Sequence, residues 1–214
     1  MKKAYRITYI KVKPGREKDF GELRKIHEEE LNRCKSLIYG RLFKSFFSFP
    51  QSKARNAYVE LNEWSSEATM REGERTVKSA IGYEEYTDTF EVEASFRMIP
   101  QGENEINLSQ MIQEGYAIEF ASRQIKPAKR KVYPERRAGF MRFIKRQPGF
   151  VFDQEFSSLD EDIDILVFAW KSVEDFRNAG NKVKRSFGQL FKTIRYFGLI
   201  KQKAFQVGTV YNSK

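Results

Sequence analysis

The 214-residue chain has two tryptophans, and they stand in matching surroundings 106 residues apart: Glu63-Trp64-Ser65-Ser66 and Ala169-Trp170-Lys171-Ser172. Held from Trp64 to Thr87, that offset of 106 pairs identical residues at Trp64/Trp170, Ser66/Ser172, Arg71/Arg177, Val77/Val183, Lys78/Lys184, Gly82/Gly188 and Thr87/Thr193. Near the start an offset of 113 pairs Lys13/Lys126, Pro14/Pro127, Lys18/Lys131, Glu22/Glu135 and Arg24/Arg137. Between these blocks an offset of 109 pairs Phe43/Phe152, Phe47/Phe156 and Ser48/Ser157. The drift needs only short deletions in surface connections, which tolerate them. One unit written twice is therefore the pattern any fold must satisfy.

Each copy reads as the same order of elements. In the first, residues 5–13 alternate as a strand and stop at Pro14-Gly15. Residues 16–35 form a helix with Phe20, Leu23, His27, Leu31 and Cys34 on one stripe. Strands follow at 41–49, closed by Pro50, and at 57–64. Ser65 caps a second helix, and a last strand covers 91–99. The second copy predicts a strand at 116–126, a helix to about 146, strands at 150–157 and 163–170, a helix over 173–196 and a strand at 201–207. The order βαββαβ is the ferredoxin-like unit, so the fold class is α+β with tandem ferredoxin-like repeats. Residues 1–99 and 114–214 are the two domains, and 100–113 is a polar linker.

Composition excludes several function classes. No apolar run reaches membrane length, and the start lacks the apolar stretch of a secretory signal, so a cytoplasmic protein without a membrane partner is expected. One Cys and one His exclude an internal disulfide and leave only carboxylates as further metal ligands. Neither copy has a Gly-rich phosphate loop, so no metal and no cofactor are expected. The net charge of +10 would suit a polyanion, but Lys and Arg are interleaved with Glu along the chain. The third strands also lack the Gly-rich aromatic signature of RNA-recognition modules, so no nucleic acid is expected as partner.

A strand ending in Lys13-Pro14-Gly15, an amphipathic helix, and a strand running into Trp64-Ser65-Ser66 at the head of a second helix resemble the antibiotic biosynthesis monooxygenase (ABM) domain of the dimeric α/β-barrel superfamily. The resemblance covers both halves. It implies two sheets packed face to face around a cavity, here an intramolecular dimeric α/β barrel, with a homodimer of the chain left open. It implies a cofactor-independent monooxygenase acting on a small hydrophobic or aromatic molecule, or else a non-catalytic, stress-related barrel that binds one. Haem-degrading members of the superfamily use an Asn on the first strand, this Trp and a His beyond it. Trp64 and Trp170 match, but the other positions fall at Thr8 and Ala121 and near Glu74 and Gly180, so haem degradation is not implied.

Tyr58, Glu60, Asn62 and Trp64 share one face of the third strand, the face expected to look into the barrel. The second copy has Asp164, Leu166, Phe168 and Trp170 there. A carboxylate in an apolar cavity has its pKa raised and can act as a base. Glu60 is the candidate base, with Asn62 and Trp64 orienting the anion; the competing reading pairs Glu60 with a Lys or Arg. Tyr58, Thr8, His27, Trp170 and Phe168 are the substrate-binding candidates, His27 and the tryptophans reading also as packed core. Polar groups in one copy only predict a single site in the first half, with the larger cavity there. Glu60→Gln should then abolish turnover or alter binding while melting within a few degrees of the parent, and Leu166→Ala should destabilise by roughly 2–5 kcal/mol.

Overall fold

The computed structural model describes residues 2–49, 55–102 and 106–211; Pro50 lies outside them. Its elements are β1 (Ala4–Val12), α1 (Glu17–Arg33), β2 (Leu37–Phe49), β3 (Ala57–Trp64), α2 (Glu67–Lys78), α3 (Tyr83–Asp88), β4 (Phe90–Pro100), α4 (Leu108–Met111), β5 (Ala117–Ile125), α5 (Tyr133–Ile144), β6 (Phe150–Ser158), β7 (Asp164–Trp170), α6 (Val173–Arg185), α7 (Phe187–Phe197) and β8 (Ile200–Val210). Ser66, not Ser65, caps α2, exchanging bonds with Thr69 in a capping box. Ser172 accepts from the Asp175 N–H in the same way at the head of α6. The helix expected over 173–196 is two helices broken at Ser186.

All strand pairs are antiparallel, and they close into one barrel in the order β1-β3-β2-β8-β5-β7-β6-β4. The seam β2–β8 runs from Phe43↔Val210 to Phe49↔Phe205, and β4–β6 from Met98↔Ser158 to Pro100↔Phe156. The registers of the two halves coincide: Ala4 lies opposite Trp64 and Ala117 opposite Trp170, Arg6 opposite Asn62 and Glu119 opposite Phe168.

Eight strands enclose a space that side chains just fill. Tyr5, Ile7 and Tyr9 of β1 and Val59 and Leu61 of β3 point inward, with Phe43, Phe120 and Phe156, all essentially without solvent exposure. Tyr5 meets Phe156 at 4.9 Å and Phe43 meets Phe120 at 5.0 Å, so rings from both halves interlock. Tyr9 Oη and Ser122 Oγ, 2.8 Å apart, share a hydrogen bond across this core. The segment 100–113 is not merely polar: Leu108 and Ile112 are buried against the same core. Two expectations are corrected here. The barrel holds a packed core rather than a cavity, and Tyr58, Glu60, Asn62 and Trp64 face the outer helices. Both faces of β3 are fully buried, so burial does not force the polar face inward.

Trp64 packs against Gly73 of α2 so closely that a Cβ there would lie 2.3 Å from Cη2 and Cζ3 of the indole. Gly180 of α6 has nothing within 4 Å of such an atom. Gly73→Ala should therefore destabilise by about 1–3 kcal/mol through overpacking. Gly180→Ala should be neutral or stabilising by up to about 1 kcal/mol through helix propensity. Paired thermal melts check both.

Candidate functional site

The outward face of β1 and β3 meets α1, α2 and α3, and a cleft of about 70 Å³ remains between them. Its walls include Thr8, Glu60, Asn62 and Trp64 from the sheet, His27 from α1, and Tyr83 and Tyr86 from α3. Helical spacing puts Phe20, Arg24, His27 and Leu31 on the face of α1 that covers the sheet. Arg24 is only 1% exposed and pairs with Glu60. It also donates to Glu28 at 2.9 Å and to Tyr86 Oη at 3.3 Å. His27 Nε2 lies 3.6 Å from Glu60 Oε1, and its ring stacks on Tyr86 at 4.5 Å.

This reverses the expected electrostatics of Glu60. Burial alone would push its carboxyl up, but the Arg24 charge and the contact with His27 outweigh that and hold it well below the usual carboxylate range. Glu60 is a fixed anion, not a base poised near neutrality. Burial raises the Tyr86 phenol despite the nearby Arg24 guanidinium. Arg24 escaped the sequence reading because a charged residue on an apolar stripe is ordinarily placed at its edge. Its spacing with His27 opposite a strand carboxylate was the available signal.

Asn62 and Trp64 are buried in the cleft wall, and among the described residues Asn62 Oδ1 and Trp64 Nε1 have no hydrogen-bond partner. Thr8 Oγ1 shares a hydrogen bond with Ser95 Oγ at 3.1 Å. At the outer end Glu74 accepts from Arg97 Nη2 at 2.9 Å and lies 3.5 Å from Arg6 Nη1. The structure thus brings Thr8, His27, Glu60, Asn62 and Trp64 together. Tyr58 lies apart, packed on Phe20 at 5.0 Å and Tyr211 at 5.3 Å, its phenol pushed up to about 12 by burial. Trp170 and Phe168 belong to the other half, in a cluster with Leu166 and Met141.

In that half Leu166 and Phe168 stand where the first has Glu60 and Asn62, and a buried ion pair, Arg123 with Glu155 at 2.6 Å, lies beside Tyr133 and Tyr196. Glu119 stands on β5 opposite Phe168 and Val207. Burial raises its carboxyl to about 7, only partly offset by the Trp170 indole N–H and Arg123. The indole geometry is too loose to count as a full hydrogen bond. The roomier opening is also in this half, a groove of about 580 Å³ between α5 and α7, against the expectation of a larger first-half cavity.

No family model matches the chain, and no curated protein does. Solved structures do. A candidate chlorite dismutase, TA0507, superposes with a TM-score of 0.69 at 7% identity, covering 100% of this chain and 96% of that one. The likeness covers the whole α+β fold with its closed barrel of eight antiparallel strands. A candidate monooxygenase from Fusobacterium nucleatum gives 0.64 at 10% identity, covering 98% and 93%. A heme-binding protein from Thermus thermophilus gives 0.59 at 10%, covering 99% and 92%. At these identities the likeness is one of fold.

The residues present do not fit a haem. His27 is the only histidine; Tyr86 covers its ring, and its nitrogen faces Glu60 in a cleft of about 70 Å³. The larger groove is lined by Phe, Arg, Lys, Gln, Glu and Gly, with no axial ligand among them. Among the described residues no cluster of three or more His, Cys, Asp or Glu could hold a metal, and no helix is long and apolar enough to cross a membrane.

Glu60→Gln should not leave stability untouched, as first expected. It strips a buried guanidinium of its charge partner and should cost about 3–5 kcal/mol in urea unfolding. Glu119→Gln should act through pH. The native carboxyl binds its proton more tightly than the unfolded one, so it lowers stability as pH rises from the ordinary 4.5 to about 7. The variant should match the parent at pH 4 or below and exceed it by about 1–3 kcal/mol at pH 8.

Proposed function

We propose that this chain is a cofactor-independent monooxygenase-type barrel acting on a small phenolic or enolic molecule in the first-half cleft, outside the barrel. The carrying observation is unused hydrogen-bonding capacity. Asn62 and Trp64 line one cleft, and each buries a polar atom left unpartnered among the described residues. Unmet buried groups cost stability, and a ligand hydroxyl satisfies such a pair by donating to Asn62 Oδ1 and accepting from the Trp64 indole N–H.

His27 replaces Glu60 as the proton acceptor. Its ring lines the cleft beside Asn62 and Trp64, where an imidazole nitrogen can take a substrate proton as a general base. Asn62 Oδ1 orients the substrate hydroxyl before the proton leaves, the Trp64 N–H donates to the resulting oxyanion, and Thr8 shapes the floor. The substrate anion then reduces dioxygen: an activated CH₂ loses two hydrogens and gains one oxygen, and the second oxygen leaves as water. The matching registers of the two halves support the further proposal of two copied ferredoxin-like domains, 1–99 and 114–214. The apolar residues at the second copy's positions agree with a single site.

The cleft volume favours a second reading, a binder without turnover. About 70 Å³ holds only two or three waters at ~30 Å³ each. A ring must displace Tyr83, which is half-buried at the cleft. 4-Nitrophenol separates the readings, because its phenolate is coloured. Mildly acidic solutions should yellow on adding the protein, the change should disappear in His27→Gln, and an oxygen electrode should record uptake with oxidisable phenols. Yellowing without uptake leaves the binder. No spectral change, or an unchanged response in His27→Gln, refutes the site.

A further inference from the structure

The charge of this protein is concentrated in one half. Residues 1–113 hold 19 Lys and Arg against 18 Asp and Glu, whereas residues 114–214 hold 20 against 11, a net +1 and +9. Much of the remaining basic charge is tied up in ion pairs, such as Arg24 with Glu60 and Arg97 with Glu74. In the groove between α5 and α7 it is not. Arg136, Arg142, Arg146, Lys192 and Arg195 line it together, and none has an ion pair among the described residues.

The same wall exposes apolar surface. Phe187 is 85% exposed, Phe191 51%, Ile194 60% and Phe197 46%. Their spacing puts them on one stripe of α7, while Tyr196 on the opposite face is buried against Phe140. Phe197 continues the stripe into a second apolar patch with Phe47 and Phe205. Lys182, Lys184 and Arg185 stand exposed just before the stripe, and Lys201 and Lys203 just after it.

We propose that this face docks on an anionic phospholipid surface. The α7 stripe enters the headgroup layer, and headgroup phosphates occupy the α5–α7 groove. A helix with rings and aliphatic groups on one side and Lys and Arg flanking them has the make-up of an interfacial helix. At 11 residues α7 is too short to cross a bilayer, and it lies along one instead. Charge argues against a second copy as the occupant. A two-fold interface would set Lys192 and Arg195 against their own counterparts. Single-stranded RNA would stack on the Phe rings but gains nothing from the aliphatic Ile194 within the stripe, which an acyl layer buries.

Co-sedimentation of the full chain with lipid vesicles tests this. Vesicles mixing phosphatidylglycerol into phosphatidylcholine should bind at least about tenfold more protein than phosphatidylcholine alone, and less at high salt. Phe187→Ser with Ile194→Ser should lose about tenfold of that binding without lowering the melting temperature, since both side chains are exposed. Arg142→Glu with Arg146→Glu should lose it independently. No binding to anionic vesicles, equal binding to neutral ones, or undiminished binding by the Phe187/Ile194 variant overturns the proposal. So does retention of oligouridine in place of vesicles, or a dimer that Phe187→Ser disperses.

Discussion

The backbone hydrogen bonds of the seams β2–β8 and β4–β6 join two four-stranded sheets into a ring without edges. An open sheet would offer unpaired N–H and C=O groups to other chains. Closure removes them but fixes the diameter, and at eight strands the interior is a core for side chains. Tyr5, Phe43, Phe120 and Phe156 fill it from both halves. Anything the protein holds must therefore lie between the barrel wall and the helices outside it. Helices that cover a barrel wall ordinarily do so with apolar side chains. Both halves bury an ion pair in that layer, Arg24 with Glu60 in the first and Arg123 with Glu155 in the second, but Glu60 and Asn62 of β3 are matched on β7 by Leu166 and Phe168.

Those polar groups are held in a definite arrangement by the Arg24–Glu60 pair. A guanidinium on α1 and a carboxylate on β3 fix the helix against the sheet, and Tyr86 and His27 complete the network from α3 and α1. Breaking one member leaves the other buried and charged, which is far costlier than never having buried the pair. The network therefore specifies geometry more than it adds stability. It also sets the character of the cleft: a permanent anion, an imidazole beside it, and an amide and an indole with capacity to spare.

Much of the fold was legible in the sequence. β3 spans the residues expected, and the two tryptophans end equivalent strands because the repeat offsets follow real strand pairing. The faces of β3 were not legible. Alternation separates Val59 and Leu61 from Glu60 and Asn62, but it does not say which set looks inward when both are buried. Assigning polar residues to a cavity was reasonable for an open barrel and fails for a filled one. The break at Ser186 was hidden because Val173–Phe197 stays compatible with helix throughout. Arg24 was hidden because its partner is 36 positions away and on another element. The concentration of positive charge after residue 113 was present in the sequence all along, masked by the even spacing of Lys and Arg.

The central claim is one of location: small molecules enter between the first-half sheet and its helices, not the barrel. A crystal of the protein soaked in phenol tests it most directly. The ring should lie beside Trp64 with its oxygen within hydrogen-bond reach of the Asn62 amide and the indole N–H, and Tyr83 should move to admit it. Phenol between Tyr5 and Phe156 inside the barrel, or bound only against Trp170 in the second half, would contradict the claim.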